Sequence, residues 1–135
     1  MEDCLHTTVR RQLLAGFFRL ARLGLVTPLR DGMNLVAKEY VAAQDPTDPG
    51  VLILSRFAGA AEELTDALIV NPLDADEIAD AVHEGLTMPI AERLRRYQTL
   101  RARVWDSTAS KYCTTFLAHL EQPMPAPRLM LQAAS

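Results

Sequence analysis

The sequence predicts an α/β fold built on a parallel sheet, and two observations predict it. Three short apolar runs, Leu23-Gly24-Leu25-Val26, Val51-Leu52-Ile53-Leu54 and Ala67-Leu68-Ile69-Val70, are continuous rather than alternating. Such runs mark strands covered on both faces. Stretches of helical period separate and follow them, the order of a sheet wound by crossover helices. Three strands are fewer than a doubly wound domain usually has. The chain therefore reads as half of such a domain, with helices on the sheet faces and more helices after the last strand. Its 135 residues suffice for one modest domain with a core.

Each element has a local reason. Leu13, Leu14, Phe17, Phe18 and Ala21 recur at helical spacing, with Arg10, Arg11, Arg19 and Arg22 between or before them. That predicts an amphipathic helix with a basic outer side. Leu23–Val26 follows as a buried strand. Pro28 and Gly32 make Thr27–Met33 a loop, and Asn34–Ala43 is a helix with Asn34 at or near its N-cap. Asp45-Pro46-Thr47-Asp48-Pro49-Gly50 is turn-rich and leads into the second buried strand. Ser55–Gly59 is a loop entering a short helix around Ala60–Leu64, and Asn71-Pro72 closes the third strand. Asp74 and Glu77 form a capping box on a helix whose Ile78, Val82 and Leu86 face inward. Pro89 suits the first turn of the next helix, with Leu94, Tyr97, Leu100 and Val104 inward. A last helix covers Ser107–Leu120, with Cys113, Phe116, Leu117 and Leu120 on its apolar stripe. The organisation is an atypical segment 1–9, a partial domain 10–122 and a flexible tail 123–135 containing Pro123, Pro125 and Pro127.

Composition narrows the function. The chain is 49% hydrophobic and 23% charged, the profile of a soluble globular protein. Lys and Arg number 14 against 17 Asp and Glu, a net charge of −3 that argues against nucleic acid as the main partner. Arg93, Arg95, Arg96, Arg101 and Arg103 form a basic run at helical spacing, read as a solvated face. No run is long and apolar enough for a bilayer, so no membrane partner is expected. Met1–His6 lacks the basic head and apolar stretch of a secretory leader. Cys4 and Cys113 offer neither metal spacing nor a disulfide framework, which fits the cytoplasm. His6, His83 and His119 show no metal spacing, and no metal or cofactor is expected. His83 reads as a helix-surface residue, Cys113 as core and Trp105 as a packing residue. Ser55 lacks the glycines of a nucleophile elbow.

In a parallel sheet ligands bind beyond the C-terminal strand ends, here the loops Thr27–Met33, Ser55–Gly59 and Asn71–Leu73. Thr27-Pro28-Leu29-Arg30-Asp31-Gly32-Met33 with Asn34-Leu35-Val36-Ala37-Lys38-Glu39-Tyr40 is the informative segment. A strand ends, a loop turns, and a helix begins with free backbone N–H groups. That arrangement binds anions, phosphate above all. Asp31 has the chemistry to accept from sugar hydroxyls. Glu39, four residues after Leu35 and on its face, can hold a ribose diol. A plainer reading stands beside this one: Asp31 caps the helix, Lys38 is solvated and Glu39 pairs with a surface base.

The same segment resembles the donor-site signature of the trehalose-6-phosphate synthases, retaining glycosyltransferases of the GT-B fold. Ser55-Arg56-Phe57-Ala58-Gly59-Ala60-Ala61, Ala67-Leu68-Ile69-Val70-Asn71-Pro72 and Leu86-Thr87-Met88-Pro89 match further on. The similarity runs from about Arg11 to about Leu120. It implies the C-terminal half of the donor-binding Rossmann-like domain of such an enzyme. It implies Asp31 as the catalytic-site residue that binds hydroxyls of the donor glucose, helped by N–H groups of Gly32, Met33 and Asn34. It also implies backbone contacts from Leu35 and Val36 to the diphosphate of UDP-glucose, with Ala37 and Lys38 in the same stretch, and Glu39 on the uridine ribose. The uracil position, usually Phe in the family, falls on Val9, and Met1–Val9 departs from the family pattern.

The acceptor, glucose 6-phosphate, belongs mainly to an N-terminal domain that these residues do not include. The family's basic pair for the diphosphate and its active-site His also lie upstream of the matched region. The isolated chain is therefore expected to lack transferase activity and, with an interdomain face uncovered, to be poorly soluble. Two other readings remain: a fragment that binds nucleotide sugar and catalyses nothing, and a relative that glucosylates glycerol 3-phosphate. A homo-oligomer of the intact enzyme stays open.

Overall fold

The computed structural model describes residues Arg11–Asp106 together with Thr114, Leu117 and Ala118. Helix α1 spans Arg11–Leu20, β1 Leu23–Val26, α2 Leu35–Ala43, β2 Val51–Ser55, β3 Leu68–Val70, α3 Ala75–Thr87 and α4 Ile90–Asp106, with a 3-10 turn at Gly59–Glu62. The expected segments 1–9 and 123–135 lie outside the described residues. Of the helix expected over Ser107–Leu120, only Thr114, Leu117 and Ala118 are described, and all three are helical. Leu117, expected on an apolar stripe, is exposed.

The strands form one parallel sheet in the order β1-β2-β3, with Leu23 opposite Val51 and Ile53 opposite Leu68. Side chains alternate across it. Leu52 and Leu54 of β2 face Tyr40 and Val41 of α2 and Tyr97 and Leu100 of α4. Val51 and Ile53 face the other way, onto Leu68, Val70 and, from α3, Ala81. The sheet thus carries α2 and α4 on one face and α3 on the other. Only the middle strand is buried throughout. Of the described residues none pairs with the outer edge of β1, and Leu25, expected in a buried strand, is 51% exposed. Helix α1 leaves Leu13 and Phe17 in solvent while Phe18 meets the edge of the Tyr40 ring. Its apolar stripe is therefore only partly covered among the described residues, with Leu14 and Phe18 half-buried.

Three further corrections concern α3 and α4. Leu86 was expected inward and is exposed, because α3 approaches the sheet through Ala81 and Gly85 instead. A Cβ at Gly85 would lie 2.6 Å from the end of the Leu23 side chain and 3.5 Å from Val51, so the glycine lets the helix sit this close without displacing Leu23. The capping box is half made. The Asp74 carboxylate accepts the N–H groups of Asp76 and Glu77, but Glu77 turns away to accept from Asn71 N and Arg56. Arg93 is not on a solvated face. It is 5% exposed and donates to the Asp48 carboxylate at 2.6 Å and the Pro49 carbonyl at 2.5 Å, joining α4 to the turn before β2. Of its neighbours Arg95 fits the solvated reading, whereas Arg96 is half-buried and donates to the Asp66 carbonyl at 3.1 Å; both pair with Glu92, whose carboxyl their hydrogen bonds hold down at about 2.

Candidate functional site

The loops after β1 and β2 meet at the rim of the sheet. Asp31 forms a parallel bridge with Ala58: Gly59 N–H donates to the Asp31 carbonyl at 2.9 Å and Asp31 N–H to the Phe57 carbonyl at 3.4 Å. A Cβ at Gly59 would lie 2.0 Å from the Gly32 carbonyl oxygen, so glycine is required for the two loops to touch.

The Asp31 side chain then shapes the entry to α2. Its Oδ1 accepts the N–H groups of Met33 at 3.1 Å and Asn34 at 2.9 Å, and its Oδ2 accepts from Asn34 Nδ2 at 2.9 Å. Asn34 stands in the left-handed region, at φ 57° and ψ 78°, a conformation that Asn tolerates better than most residues. Its Oδ1 caps the Ala37 N–H at 2.9 Å. The true N-cap is Asn34. Asp31 organises the residues before the helix, one turn earlier than the plainer reading has it.

These bonds consume some of the expected donors and leave others. Met33 and Asn34 N–H groups point at Asp31, and Ala37 N–H at Asn34. The N–H groups of Gly32, Leu35 and Val36 bond no protein acceptor among the described residues. Gly32, Leu35 and Val36 are all exposed at the rim. They leave open donors at the N-terminal end of α2, the positive end of the helix dipole. Lys38 points elsewhere, its ammonium 2.8 Å from the Glu63 carboxylate beside the 3-10 turn and its side chain only 14% exposed.

Glu39 sits one turn further along. Among the described residues it has no ion pair, contrary to the plainer reading. It lines a groove of about 310 Å³ between α1 and α2, with Leu14, Ala15, Phe18, Ala42 and Ala43. A carboxylate lining a largely apolar groove, one turn from helix N–H groups that find no acceptor among the described residues, suits a ligand with a phosphate, a diol and a flat apolar ring.

The sequence profile of glycosyltransferase family 20 matches residues 3–122. The chain belongs to glycosyltransferase family 20. The trehalose-6-phosphate synthase of Sinorhizobium fredii is 55% identical over 116 residues, covering 86% of this chain and 25% of that protein. A solved structure of the Escherichia coli protein bound with UDP-2-fluoro glucose is 54% identical with a TM-score of 0.79, covering 88% of this chain and 26% of that one. An α,α-trehalose-phosphate synthase (UDP-forming) from Burkholderia xenovorans, in complex with glucose-6-phosphate, is 53% identical with a TM-score of 0.80, covering 87% and 26%. The chain spans about a quarter of the length of such relatives. The family match begins at residue 3, ahead of the stretch where the motifs alone carry the resemblance.

Within this family-20 chain, several structural residues escaped the sequence reading. Tyr40, Gly24 and Gly50 lock together below α2, and Gly59 permits the loop bridge. Glycines at the start or end of strand runs were the available signal, since a strand-interior glycine often marks close approach of another group.

Proposed function

We propose that this chain is the donor-binding part of a retaining glycosyltransferase. The whole enzyme would transfer glucose from UDP-glucose to glucose 6-phosphate, giving trehalose 6-phosphate and UDP. What carries the reading is the group of N–H donors at Gly32, Leu35 and Val36, beside Glu39, that find no partner among the described residues, as Glu39 finds no ion pair there. Relatives solved with UDP-2-fluoro glucose and with glucose-6-phosphate support the choice of donor and acceptor. In this reading residues 10–122 are the partial sugar-nucleotide domain, at work in the cytoplasm with no nucleic-acid partner.

The roles follow from chemistry. The Leu35 and Val36 N–H groups receive the diphosphate, where a helix N-terminus stabilises the negative charge that grows as UDP departs. Glu39 accepts from the ribose hydroxyls while the base enters the α1–α2 groove. Asp31 Oδ1 already accepts two N–H groups, but Oδ2 accepts only one bond and retains a lone pair for a hydroxyl of the donor glucose. Transfer needs the acceptor held in line, and in this reading the acceptor is held mainly by a part of the enzyme outside these residues, so the chain alone should bind donor without turnover.

The test is an amide NMR titration of the chain with UDP-glucose. Shifts concentrated at Gly32, Leu35, Val36 and Glu39 support the reading, and shifts spread elsewhere or absent refute it. Formation of trehalose 6-phosphate by the isolated chain would overturn the division of roles.

A further inference from the structure

We propose that Tyr40 is a positioning residue for the donor site: its ring, seated over Gly24 with its hydroxyl against Gly50, sets the rotation and height of α2 on the sheet. The inference rests on the donor reading above. Tyr40 is 2% exposed and follows Glu39 directly. Its hydroxyl reaches the Ala21 carbonyl at 3.1 Å and the Val51 carbonyl at 3.4 Å, at the entries to β1 and β2. Phe18 of α1 closes the ring edge-on, with centroids 6.1 Å apart.

The socket is made of absent side chains. A Cβ at Gly24 would come within 2.8–2.9 Å of three Tyr40 ring atoms. A Cβ at Gly50 would stand 2.2 Å from the Tyr40 hydroxyl oxygen. Both glycines have negative φ, so neither is needed for a left-handed turn. What requires them is the ring. Both contacts involve one side chain of α2, so they fix that helix against the first two strands at once.

The consequence reaches the ligand end through helix geometry. Neighbouring residues on a helix stand about 100° apart, so fixing Tyr40 fixes where Glu39 points. That direction is the α1–α2 groove. The Leu35 and Val36 N–H groups, one turn earlier, move with the same rigid helix.

The test uses the labelled chain, UDP as probe, and affinity read from amide shifts of the folded protein. Tyr40→Phe keeps the ring and should bind UDP within about threefold of the unsubstituted chain. Tyr40→Leu should bind at least about tenfold more weakly. Gly24→Ala should weaken UDP binding alone and add nothing in combination with Tyr40→Leu, because both act on one contact. A Tyr40→Leu chain that melts lower yet binds UDP normally when folded would make Tyr40 a purely structural residue and overturn the proposal. So would additive effects of Gly24→Ala and Tyr40→Leu. If Tyr40→Leu does not fold, Gly24→Ala decides: without ligand it should shift the Leu35, Val36 and Glu39 amides, and unchanged shifts refute the inference. That ligand-free measurement stands even if UDP proves to bind elsewhere, which separates failure of this proposal from failure of the donor reading.

Discussion

The two ends of α2 are built by different means. At the N-terminus the bonds are local: Asp31 to Met33 and Asn34, and Asn34 to Ala37, each spanning two or three residues. Toward the C-terminus they are mostly long-range. Tyr40 reaches Ala21 and Val51, and Gln44 takes the Phe18 carbonyl at 2.5 Å and the Gly50 N–H at 2.7 Å. The N-terminal end, where the donor site is proposed, keeps N–H groups exposed and without an acceptor among the described residues. At the far end Tyr40, Val41 and Gln44 are buried, and the Tyr40 and Gln44 side chains find partners. A helix terminus can afford open N–H groups only if something else holds the helix in place, and here that something is the C-terminal half of α2.

The comparison breaks first at Gly50. A methyl there would meet the Tyr40 hydroxyl oxygen and the Ala21 and Arg22 carbonyl oxygens, at 2.2, 2.6 and 2.8 Å. Two of these atoms are backbone and cannot swing away. Gly50→Ala should cost about 3 kcal/mol or more, at the upper end of overpacking effects, read by urea denaturation. A loss under about 1 kcal/mol would mean that the far end is not rigid.

Gln44→Ala is the next largest. It would leave the Gly50 N–H without its acceptor and the Phe18 carbonyl with only the longer bond from the Ala21 N–H at 3.3 Å, and Gln44 is buried. An unsatisfied buried group costs about 1–3 kcal/mol, so a loss of about 2 kcal/mol is expected by the same measurement. Asn34→Ala, at the ligand end, should cost about 1 kcal/mol through the lost cap, and Asn34→Gly less, because glycine accepts the left-handed backbone. If Asn34→Ala proves more damaging than Gln44→Ala, the local end is the anchor and the comparison is inverted.

Alkaline pH sharpens the same contrast. Burial raises the Tyr40 phenol above its ordinary value, with the Arg22 charge offsetting a little. The folded chain therefore keeps that proton to higher pH than the unfolded chain does. The associated stability is complete below about pH 10 and is lost as pH climbs toward the folded value. The melting temperature should fall more steeply above about pH 10 in the unsubstituted chain than in Tyr40→Phe. Parallel curves would show that Tyr40 contributes no such linkage.

Much of this was legible in the sequence. Continuous apolar runs gave three parallel strands in chain order, and the loop-to-helix step at Asp31–Asn34 gave the rim and the cap. Local chemistry decides those features, so a local reading finds them. Long-range contacts decide the rest. Arg93 looks like any charge on a helix until Asp48 and Pro49, more than 40 residues away, are brought to it. Gly24 looks like any strand residue and Gly50 like any turn residue until Tyr40 occupies the space they leave. Leu86 has the right period to face inward, but Gly85 beside it allows closer packing and takes the inner position. Within the site, Asp31 was legible as a sugar-binding or capping residue, but not as the acceptor of the Met33 and Asn34 N–H groups ahead of the helix.

The smallest stability effect belongs to Glu39, and it separates ligand chemistry from fold. Glu39 is exposed and has no ion pair among the described residues, so Glu39→Gln should change stability by less than about 0.5 kcal/mol. Its effect should appear only with ligand. Hydrogen bonds to a charged acceptor contribute about 1.5–3 kcal/mol, which is roughly tenfold or more in affinity. UDP should therefore bind the Glu39→Gln chain about tenfold more weakly, while inorganic pyrophosphate, which lacks the ribose, should bind both chains alike. In an intact enzyme the same change should raise the KM for UDP-glucose with little change in kcat, the behaviour of uniform binding. Asp31→Asn should instead lower kcat, since contacts to the glucosyl group tighten as it gains positive character. If pyrophosphate loses as much affinity as UDP, Glu39 acts on the phosphates or on the helix terminus, and its assignment to the ribose is wrong.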